Sequence, residues 1–227
     1  MTERSSAASP GRCWALACPT CGEHPLSPLP GGGLGCASCG AAYPLLENIQ
    51  FLVAEGALGS VESLQQELYD RRNPELHRVL HDGTGEEHQV VAPTRLGSLP
   101  DITLTYRRHC RLLRKLGVRP RATVLDIGCA TGTLLTQVCH AWSCDGVGVD
   151  LSPKSVAIAQ EVNPLGLEYY VAGAEALPFA DQQFDCVLCF DVLEHTAHPE
   201  KAIREAYRCL KPGGVALYHV PVSDTFL

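Results

Sequence analysis

Short apolar runs alternate with helical segments along the second half of the chain. The apolar runs are ATVLDI, GVGVD, LEYYV, FDCVLC and VALYHV, and the helical segments among them are LLTQVCHAW, PKSVAIAQEV and PEKAIREAYRCL. Strands that alternate with helices predict right-handed crossovers and a parallel sheet covered on both faces. The predicted fold class is therefore α/β, with a Rossmann-like sheet over residues 101–227.

The first half lacks this alternation, and its composition divides it into three parts. Residues 1–15 are predicted to form a disordered tail, residues 16–55 a small cysteine-bearing module, and residues 56–100 a helical or linker region. The last part begins with SVESLQQELYDRRN, whose apolar residues share a helical face. It then becomes rich in Gly, Pro and charge, which indicates a mobile linker or lid.

Size and charge narrow the class of protein. A chain of 227 residues is long enough for one ordinary domain and a small appendage. No apolar run approaches the roughly 20 residues that span a bilayer, so no membrane span is predicted. The polar start MTERSSAASPGR lacks the apolar core of a secretory signal, and a cytoplasmic location is therefore expected.

A formal net charge of −7 makes nucleic acid an unlikely partner, because neutralising phosphates requires clustered Lys and Arg. Basic residues do crowd into YRRHCRLLRKLGVRPR (106–121). Apolar residues at helical spacing in the same segment, from Tyr106 to Leu113 and Leu116, favour a surface helix with a solvated basic face. A local patch for RNA is the alternative.

Four of the 12 cysteines have the spacing of metal ligands. Cys18 and Cys21 form one C-x2-C pair, Cys36 and Cys39 form another, and the glycine-rich LPGGGLG between them suits a hairpin tip. Four thiolates around one ion leave no position for water or substrate, so a zinc ion here would be structural. Unligated thiols are the alternative. The remaining cysteines of the α/β region fit core positions.

The stretch VLDIGCATG predicts a strand, a glycine turn and a helix, a geometry that brings backbone N–H groups close to a ligand. Asp126 precedes the first glycine by two residues, where it would repel a diphosphate and suit a cationic amino-acid moiety. Asp150 ends the next strand, where a carboxylate can accept hydrogen bonds from both hydroxyls of a ribose. Asp126 therefore disfavours a dinucleotide, and Asp150 favours a ribose.

These motifs resemble two known families. VLDIGCATG, GVGVDLSPKSVAIAQ, AGAEALPFADQQFDCVLCFDVLEH and PEKAIREAYRCLKPGGVALYHVP look like the successive motifs of class I S-adenosylmethionine-dependent methyltransferases of the ubiquinone and menaquinone branch. LACPTCGEHPL and LGCASCGAAYPLLENIQFLV resemble the zinc ribbon found as an activating partner of tRNA and protein methyltransferases, and as the N-terminal domain of some bacterial ones.

The first resemblance implies S-adenosylmethionine as cofactor and assigns its contacts by position. The methionine end would meet Asp126, Gly128, Cys129 and Gly132, the ribose Asp150, and the adenine Leu151, Ala174 and Glu175. Phe190 and Asp191 would lie beside the sulfonium. Two departures stand out: Ala172 and Gly173 replace a common Gly-Asp pair, and Ala130 replaces a common glycine, which is tolerated if its φ is negative.

His195 is a candidate general base, although methyl transfer needs none and the residue could equally cap a segment or line the pocket. In the family a C-terminal hairpin follows the fifth strand, and the sequence ends seven residues after it. We therefore expect the hairpin to be missing, and a protein partner to cover the exposed fifth-strand edge or the ribbon. Three functions are left open: methyl transfer to a small-molecule acceptor, a catalytically incompetent cofactor-binding or interaction module, and an RNA methyltransferase.

Overall fold

The N-terminal part of the chain forms two small antiparallel sheets. The computed structural model describes residues 14–53, 111–163 and 165–221. The short strands are β1 (Ser27–Pro28), β2 (Leu34–Gly35), β3 (Ala42–Tyr43), β4 (Leu45–Leu46) and β5 (Ile49–Gln50). β1, β2 and β3 pair in that order, and β4 pairs with β5. Strands this short cannot bury much surface, so this part depends on contacts from elsewhere.

A parallel five-stranded sheet forms the larger part of the structure. Its strands are β6 (Thr123–Ile127), β7 (Asp145–Asp150), β8 (Glu168–Val171), β9 (Phe184–Phe190) and β10 (Leu210–His219). They lie in the order β10-β9-β6-β7-β8, with every pairing parallel. The helices are α1 (Thr133–Trp142), α2 (Pro153–Glu161) and α3 (Pro199–Cys209), and residues 111–115 are also helical. The predicted α/β fold class is confirmed.

Alternate residues of the central strands face two separate apolar cores. On β6, Leu125 and Ile127 join a core that includes α3 and the N-terminal part of the chain, whereas Val124 joins a core with α1 and α2. β9 alternates in the same way. Since the strands are parallel, their carboxyl ends meet at one edge, and the register places Asp126 opposite Gly148 of β7 and Leu188 of β9.

The N-terminal part docks on the β8 side of this sheet. Phe51 bridges to Val171 in parallel, and the Leu52 N–H donates to the Val171 carbonyl (2.8 Å). Leu16 bridges to Phe179 in the segment after β8. These contacts cover a sheet edge that would otherwise present unpaired backbone groups.

At the opposite edge, β10 begins earlier than the sequence indicates. Leu210 already pairs with Phe184, the four residues of KPGG bulge out, and pairing resumes at Val215. In the described part of the sheet β10 pairs on one side only, and Val215 to Tyr218 are half-buried.

Two expectations need correction. Trp14 is buried, with its ring 5.9 Å from that of Phe184, so this residue is not part of a disordered tail. Leu116 is exposed, although helical spacing had placed it with the buried Leu113. Arg111, Arg114 and Arg119 are exposed, as a solvated basic face requires. Residues 1–13 of the predicted tail and the whole predicted linker, residues 56–100, lie outside the described residues.

Candidate functional site

The four predicted metal ligands converge at the tip of the N-terminal part. Their Sγ atoms all lie within 4.8 Å of one another, and the closest pairs, Cys18 with Cys39 and Cys21 with Cys36, are 3.6 Å apart. Thiolates bound tetrahedrally at about 2.3 Å from one ion lie ~3.8 Å apart, so the spacing fits a single ion. Cys18 and Cys36 are buried, and Cys21 and Cys39 are exposed.

Each C-x2-C pair is held by the same backbone turn. In the first, the Gly22 N–H donates to the Cys18 carbonyl (2.8 Å), and in the second the Gly40 N–H donates to the Cys36 carbonyl (3.0 Å). Both glycines have a positive φ, 78° and 76°, which glycine adopts without strain. A four-sulfur tetrahedral donor set is the kind that binds zinc or iron.

The thiols influence one another's ionisation. Burial raises the pKa of Cys18, but hydrogen bonds from Tyr43, from the backbone of Cys21 and Thr20 and from Cys39 lower it, to about 6. For Cys21, a backbone hydrogen bond from Glu23 lowers the pKa, whereas desolvation and the other thiols raise it, to about 12. Four thiolates therefore coexist only when a cation neutralises them.

The glycine turn lies at the carboxyl edge of the sheet, between β6 and α1. The N–H groups of Gly128 and Cys129 both donate to the Val149 carbonyl at the end of β7, at 2.8 and 3.0 Å. Gly128 and Gly132 have φ values of 71° and 75°, in the left-handed region that favours glycine. Ala130 also has a positive φ, 47°, so the condition for tolerating alanine at this position is not met.

Both glycines are also required by packing within the protein. An added Cβ at Gly128 would collide with Cγ2 of Val192, and one at Gly132 would lie 2.5 Å from the Tyr169 hydroxyl oxygen. Sequence reasoning had assigned these glycines to cofactor approach alone. The Val192 contact places the loop after β9 directly against the turn.

Asp126 is a buried carboxylate at this turn. Its side chain is 2% exposed, and Oδ2 has no hydrogen-bond partner among the described residues. Burial, and then the charge of Asp150, raise its pKa to about 8, against a smaller opposing effect of a backbone hydrogen bond from Leu135. A buried carboxyl oxygen without a partner fits a site for a cationic group.

Asp150 is bound to the same turn through the backbone. Its Oδ2 accepts a hydrogen bond from the Ala130 N–H (2.9 Å), and its Oδ1 accepts one from the Ser152 N–H (2.9 Å). The structure thus brings the two predicted acids together at one glycine turn.

The predicted adenine-side residues also meet. Leu151 lies over Gly173, where an added Cβ would come within 3.6 Å of Leu151 Cδ2, and Ala174 is buried next to it in sequence. Glu175 accepts a hydrogen bond from the His198 N–H (2.9 Å) through Oε1. Glu175 is therefore engaged at the start of α3.

Two predicted residues have other surroundings. Cys129 is buried, its N–H is used by Val149, and its thiol packs against Gly148, where an added Cβ would lie 2.7 Å from Sγ. A packing role for Cys129 follows. His195 ends the 3-10 helix Leu193–His195 and is half-buried, with its N–H donating to the Val192 carbonyl.

A histidine that sequence reasoning missed lies beside Asp191. His219 Nδ1 is 2.7 Å from Asp191 Oδ1, and the Asp191 N–H donates to the His219 carbonyl (2.9 Å). Asp191 has a φ of 55°, in the left-handed region that aspartate adopts more often than most residues other than glycine. Phe190 faces the His219 ring at 5.9 Å. The only sequence signal was a polar residue at the carboxyl end of an apolar strand.

Comparison with known families decides the class of this sheet. Residues 125–218, which include the glycine turn, both acids and Asp191, match the family model described as "Methyltransferase domain". This stretch of the chain is similar to methyltransferase domains. The predicted resemblance to class I methyltransferases is thereby confirmed.

Proteins similar in sequence to this chain include a quinone-biosynthesis enzyme. The chain is 34% identical over 133 residues to a ubiquinone biosynthesis O-methyltransferase of Azorhizobium caulinodans, covering 56% of this chain and 51% of that protein. It is 36% identical over 167 residues to an uncharacterized 37.1 kDa protein in transposon TN4556 of Streptomyces fradiae, covering 70% and 47%. The chain thus spans about half the length of these relatives.

Among solved structures, the [4+2]-cyclase SpnF is similar to this chain in fold. The TM-score is 0.52 at 24% identity, covering 70% of this chain and 59% of that one. This likeness shows the fold alone, since one fold hosts many reactions.

No helix of the described residues is long and apolar enough to cross a membrane.

Proposed function

We propose that the chain binds S-adenosylmethionine at the carboxyl edge of the sheet and transfers its methyl group to a small-molecule acceptor. The observation that carries the proposal is the pair of acids at one glycine turn: Asp126 buried with an unpartnered oxygen, and Asp150 fixed by the Ala130 N–H. A buried carboxylate suits the ammonium group of the methionine moiety, and a partly exposed one suits ribose hydroxyls.

In this proposal the other predicted residues surround Asp126 and Asp150. Gly128 and Gly132 shape the turn, and Leu151, Ala174 and Glu175 form the adenine side next to Gly173. Phe190 and Asp191, joined to the turn through Val192, border the reacting end. Bound cofactor would supply an electrophilic methyl group on a sulfonium, so the protein's part is to orient the acceptor and exclude water.

His219 is the residue we assign to proton removal, in place of His195. Its Nδ1 is bonded to the Asp191 carboxylate, which favours the tautomer with the proton on Nδ1 and a proton-accepting Nε2. The proton that leaves the acceptor's hydroxyl or amine goes to Nε2. This arrangement suits an oxygen or nitrogen acceptor better than a carbon one.

The four cysteines hold a structural zinc ion in this proposal. The spacing of the sulfurs supports the ion, and the continuity of the ribbon core with the sheet supports a structural role. None of the ten described cysteines forms a disulfide, which supports the cytoplasmic location that we propose. A protein partner at the β10 edge or at the ribbon stays a prediction.

Calorimetry with S-adenosylhomocysteine tests the cofactor site. Asp150→Ala removes charge-assisted hydrogen bonds worth about 1.5–3 kcal/mol, so we expect binding ~10- to 100-fold weaker than in the parent chain. The matched control is Asp145→Ala, which removes an exposed carboxylate from the opposite end of the same strand, β7. Equal affinity in all three chains would refute the ribose assignment.

Incubation with S-adenosylmethionine and a panel of phenols, amines and total RNA separates the three functions. Methylated phenol or amine supports the small-molecule reading, and methylated RNA with steep salt dependence supports the RNA reading. Cofactor binding without any product supports the incompetent module. With an acceptor in hand, His219→Gln should lower the rate by ~100-fold or more and leave cofactor affinity unchanged, whereas His195→Gln should not.

A further inference from the structure

Tyr43 connects the cysteine cluster to the core of the molecule. The residue ends β3, its side chain is fully buried, and it belongs to the apolar core shared with Tyr170 of β8 and Phe179 of the segment after β8. Its hydroxyl oxygen lies 2.9 Å from Cys18 Sγ. A side chain packed on all sides cannot swing away from this contact, so the hydroxyl is fixed relative to the sulfur.

The direction of the hydrogen bonds follows from the state of Cys18. A cysteine that binds a metal is a thiolate and can only accept, so Tyr43 must donate its single hydroxyl proton to Sγ. The Tyr43 oxygen is then the acceptor for Thr20, whose Oγ1 lies 3.0 Å away. Thr20 lies between Cys18 and Cys21 in the sequence. The hydrogen bonds from Thr20 to Tyr43 and from Tyr43 to Cys18 therefore begin and end in the same C-x2-C turn.

The two C-x2-C turns differ in this respect. Their backbone hydrogen bonds are equivalent, and Cys36 occupies in the second turn the position that Cys18 occupies in the first. Within the part of the chain that the structure describes, the hydroxyl contact is made to Cys18 and not to Cys36. The contact is therefore not a by-product of turn geometry.

We propose that Tyr43 is a positioning residue of the metal centre, donating a hydrogen bond to the Cys18 thiolate with support from Thr20. Four thiolates around a divalent ion carry net negative charge in a partly buried place, and a fixed donor offsets part of that charge and orients the sulfur. The inference rests on the proposed metal site and adds to it a group that sets its affinity.

Metal binding to the full chain tests the proposal without any methyl acceptor. The probes are Zn²⁺ in competition with a chromophoric chelator and Co²⁺ followed by its thiolate-to-metal absorption. For Tyr43→Phe we expect metal affinity ~10- to 100-fold weaker. The Co²⁺ band should also move to longer wavelength, because a lost hydrogen bond raises the energy of the sulfur electrons.

Two further variants separate the hydroxyl from the fold. Thr20→Val changes an exposed residue and should weaken binding less than Tyr43→Phe, in the same direction. Tyr207→Phe removes the hydroxyl of an exposed tyrosine on α3 and should leave both metal affinity and absorption unchanged. If Tyr43→Phe fails to fold, Thr20→Val alone decides.

The outcomes distinguish the proposed metal site from the proposed role of Tyr43. If the parent chain binds neither ion, the cysteine cluster itself is not a metal site and the role of Tyr43 fails with it. If the parent binds both ions and the Tyr43→Phe and Thr20→Val chains bind them equally well with the same absorption, the metal site stands and the role of Tyr43 is wrong.

Discussion

The cysteine cluster and the pair of acids differ in how far the chain itself completes them. Within residues 18–43 the first contains four converging sulfurs, two matching turns and a buried hydroxyl donor. The second brings Asp126 and Asp150 together from different strands and leaves a buried carboxyl oxygen of Asp126 without a described partner. The first matches the donor set of a single metal ion, and the second offers a buried carboxyl oxygen to which a cationic group could bind.

This difference has an energetic meaning. Burial raises the pKa of Cys18, but hydrogen bonds from the Tyr43 hydroxyl and from backbone N–H groups lower it to about 6, so this thiol ionises readily. Asp126 is instead held in surroundings that oppose its ionisation, so the free protein is destabilised at the place where the ligand is expected. We therefore expect the ribbon to contribute to the stability of the fold and the glycine turn to contribute to ligand binding.

Removing the metal should give the largest effect. The ribbon strands bury little by themselves, yet Trp14, Tyr43 and Leu52 belong to the core shared with the sheet. Loss of the ion should therefore unfold the ribbon and expose the β8 edge, lowering the Tm on the order of 10 °C or more. Calorimetry of the zinc-loaded chain with and without a strong chelator measures it.

Adding zinc back provides the control for that experiment. The original Tm should return once the chelator is saturated, since the effect belongs to the ion and not to the chelator. An identical Tm in the loaded and stripped chains would contradict the structural role of the cluster.

Asp126→Asn should give an intermediate effect that depends on pH. The folded-state pKa of Asp126, about 8, lies above the ordinary value of ~3.9, so the folded chain holds the extra proton and loses stability as pH rises from about 4 to 8. The asparagine variant has no ionisable group at this position, so its stability does not fall with pH for this reason. Without cofactor it should match the parent near pH 4 and exceed it by a few kcal/mol near pH 8.

Denaturant unfolding at several pH values measures this difference. Asp145→Asn, at the exposed start of β7, serves as the control because it changes the same group away from the turn. A parent and an Asp126→Asn chain whose stabilities run parallel from pH 4 to 8 would show that burial does not oppose the charge of Asp126.

Ala130→Gly should give the smallest effect. Ala130 holds a φ of 47° because its N–H is bonded to Asp150, and glycine adopts this conformation without strain. We expect the free energy of unfolding to rise by about 0.5–1 kcal/mol. Ala157→Gly within α2 is the matched control and should lower it by a similar amount. Equal signs for the two variants would contradict the strain at Ala130.

Most of the fold could be predicted because its signals are local. The alternation of apolar runs with helical segments fixed all five strands of the large sheet, and the spacing of Cys18, Cys21, Cys36 and Cys39 predicted their convergence. Asp126 and Asp150 were also predictable, since each ends a strand and parallel strands end at one edge.

What could not be predicted depends on contacts between distant parts of the sequence. The Asp191–His219 pair follows from the register of β9 and β10. The docking of Leu16 on Phe179 joins residues far apart in the sequence, and no periodic pattern of apolar residues predicts it. The positive φ of Ala130 was missed because it results from a hydrogen bond to Asp150, 20 residues away, and alanine gives no sign of it.

Calorimetric titration of the parent chain with S-adenosylhomocysteine at pH 7, in two buffers of different ionisation enthalpy, tests the central claim most directly. Asp126 is mostly protonated there in the free protein, and an ammonium group beside it favours the carboxylate. The account predicts saturable binding with a net release of protons that disappears in Asp126→Asn. No saturable heat, or binding with the same proton count in both chains, would contradict it.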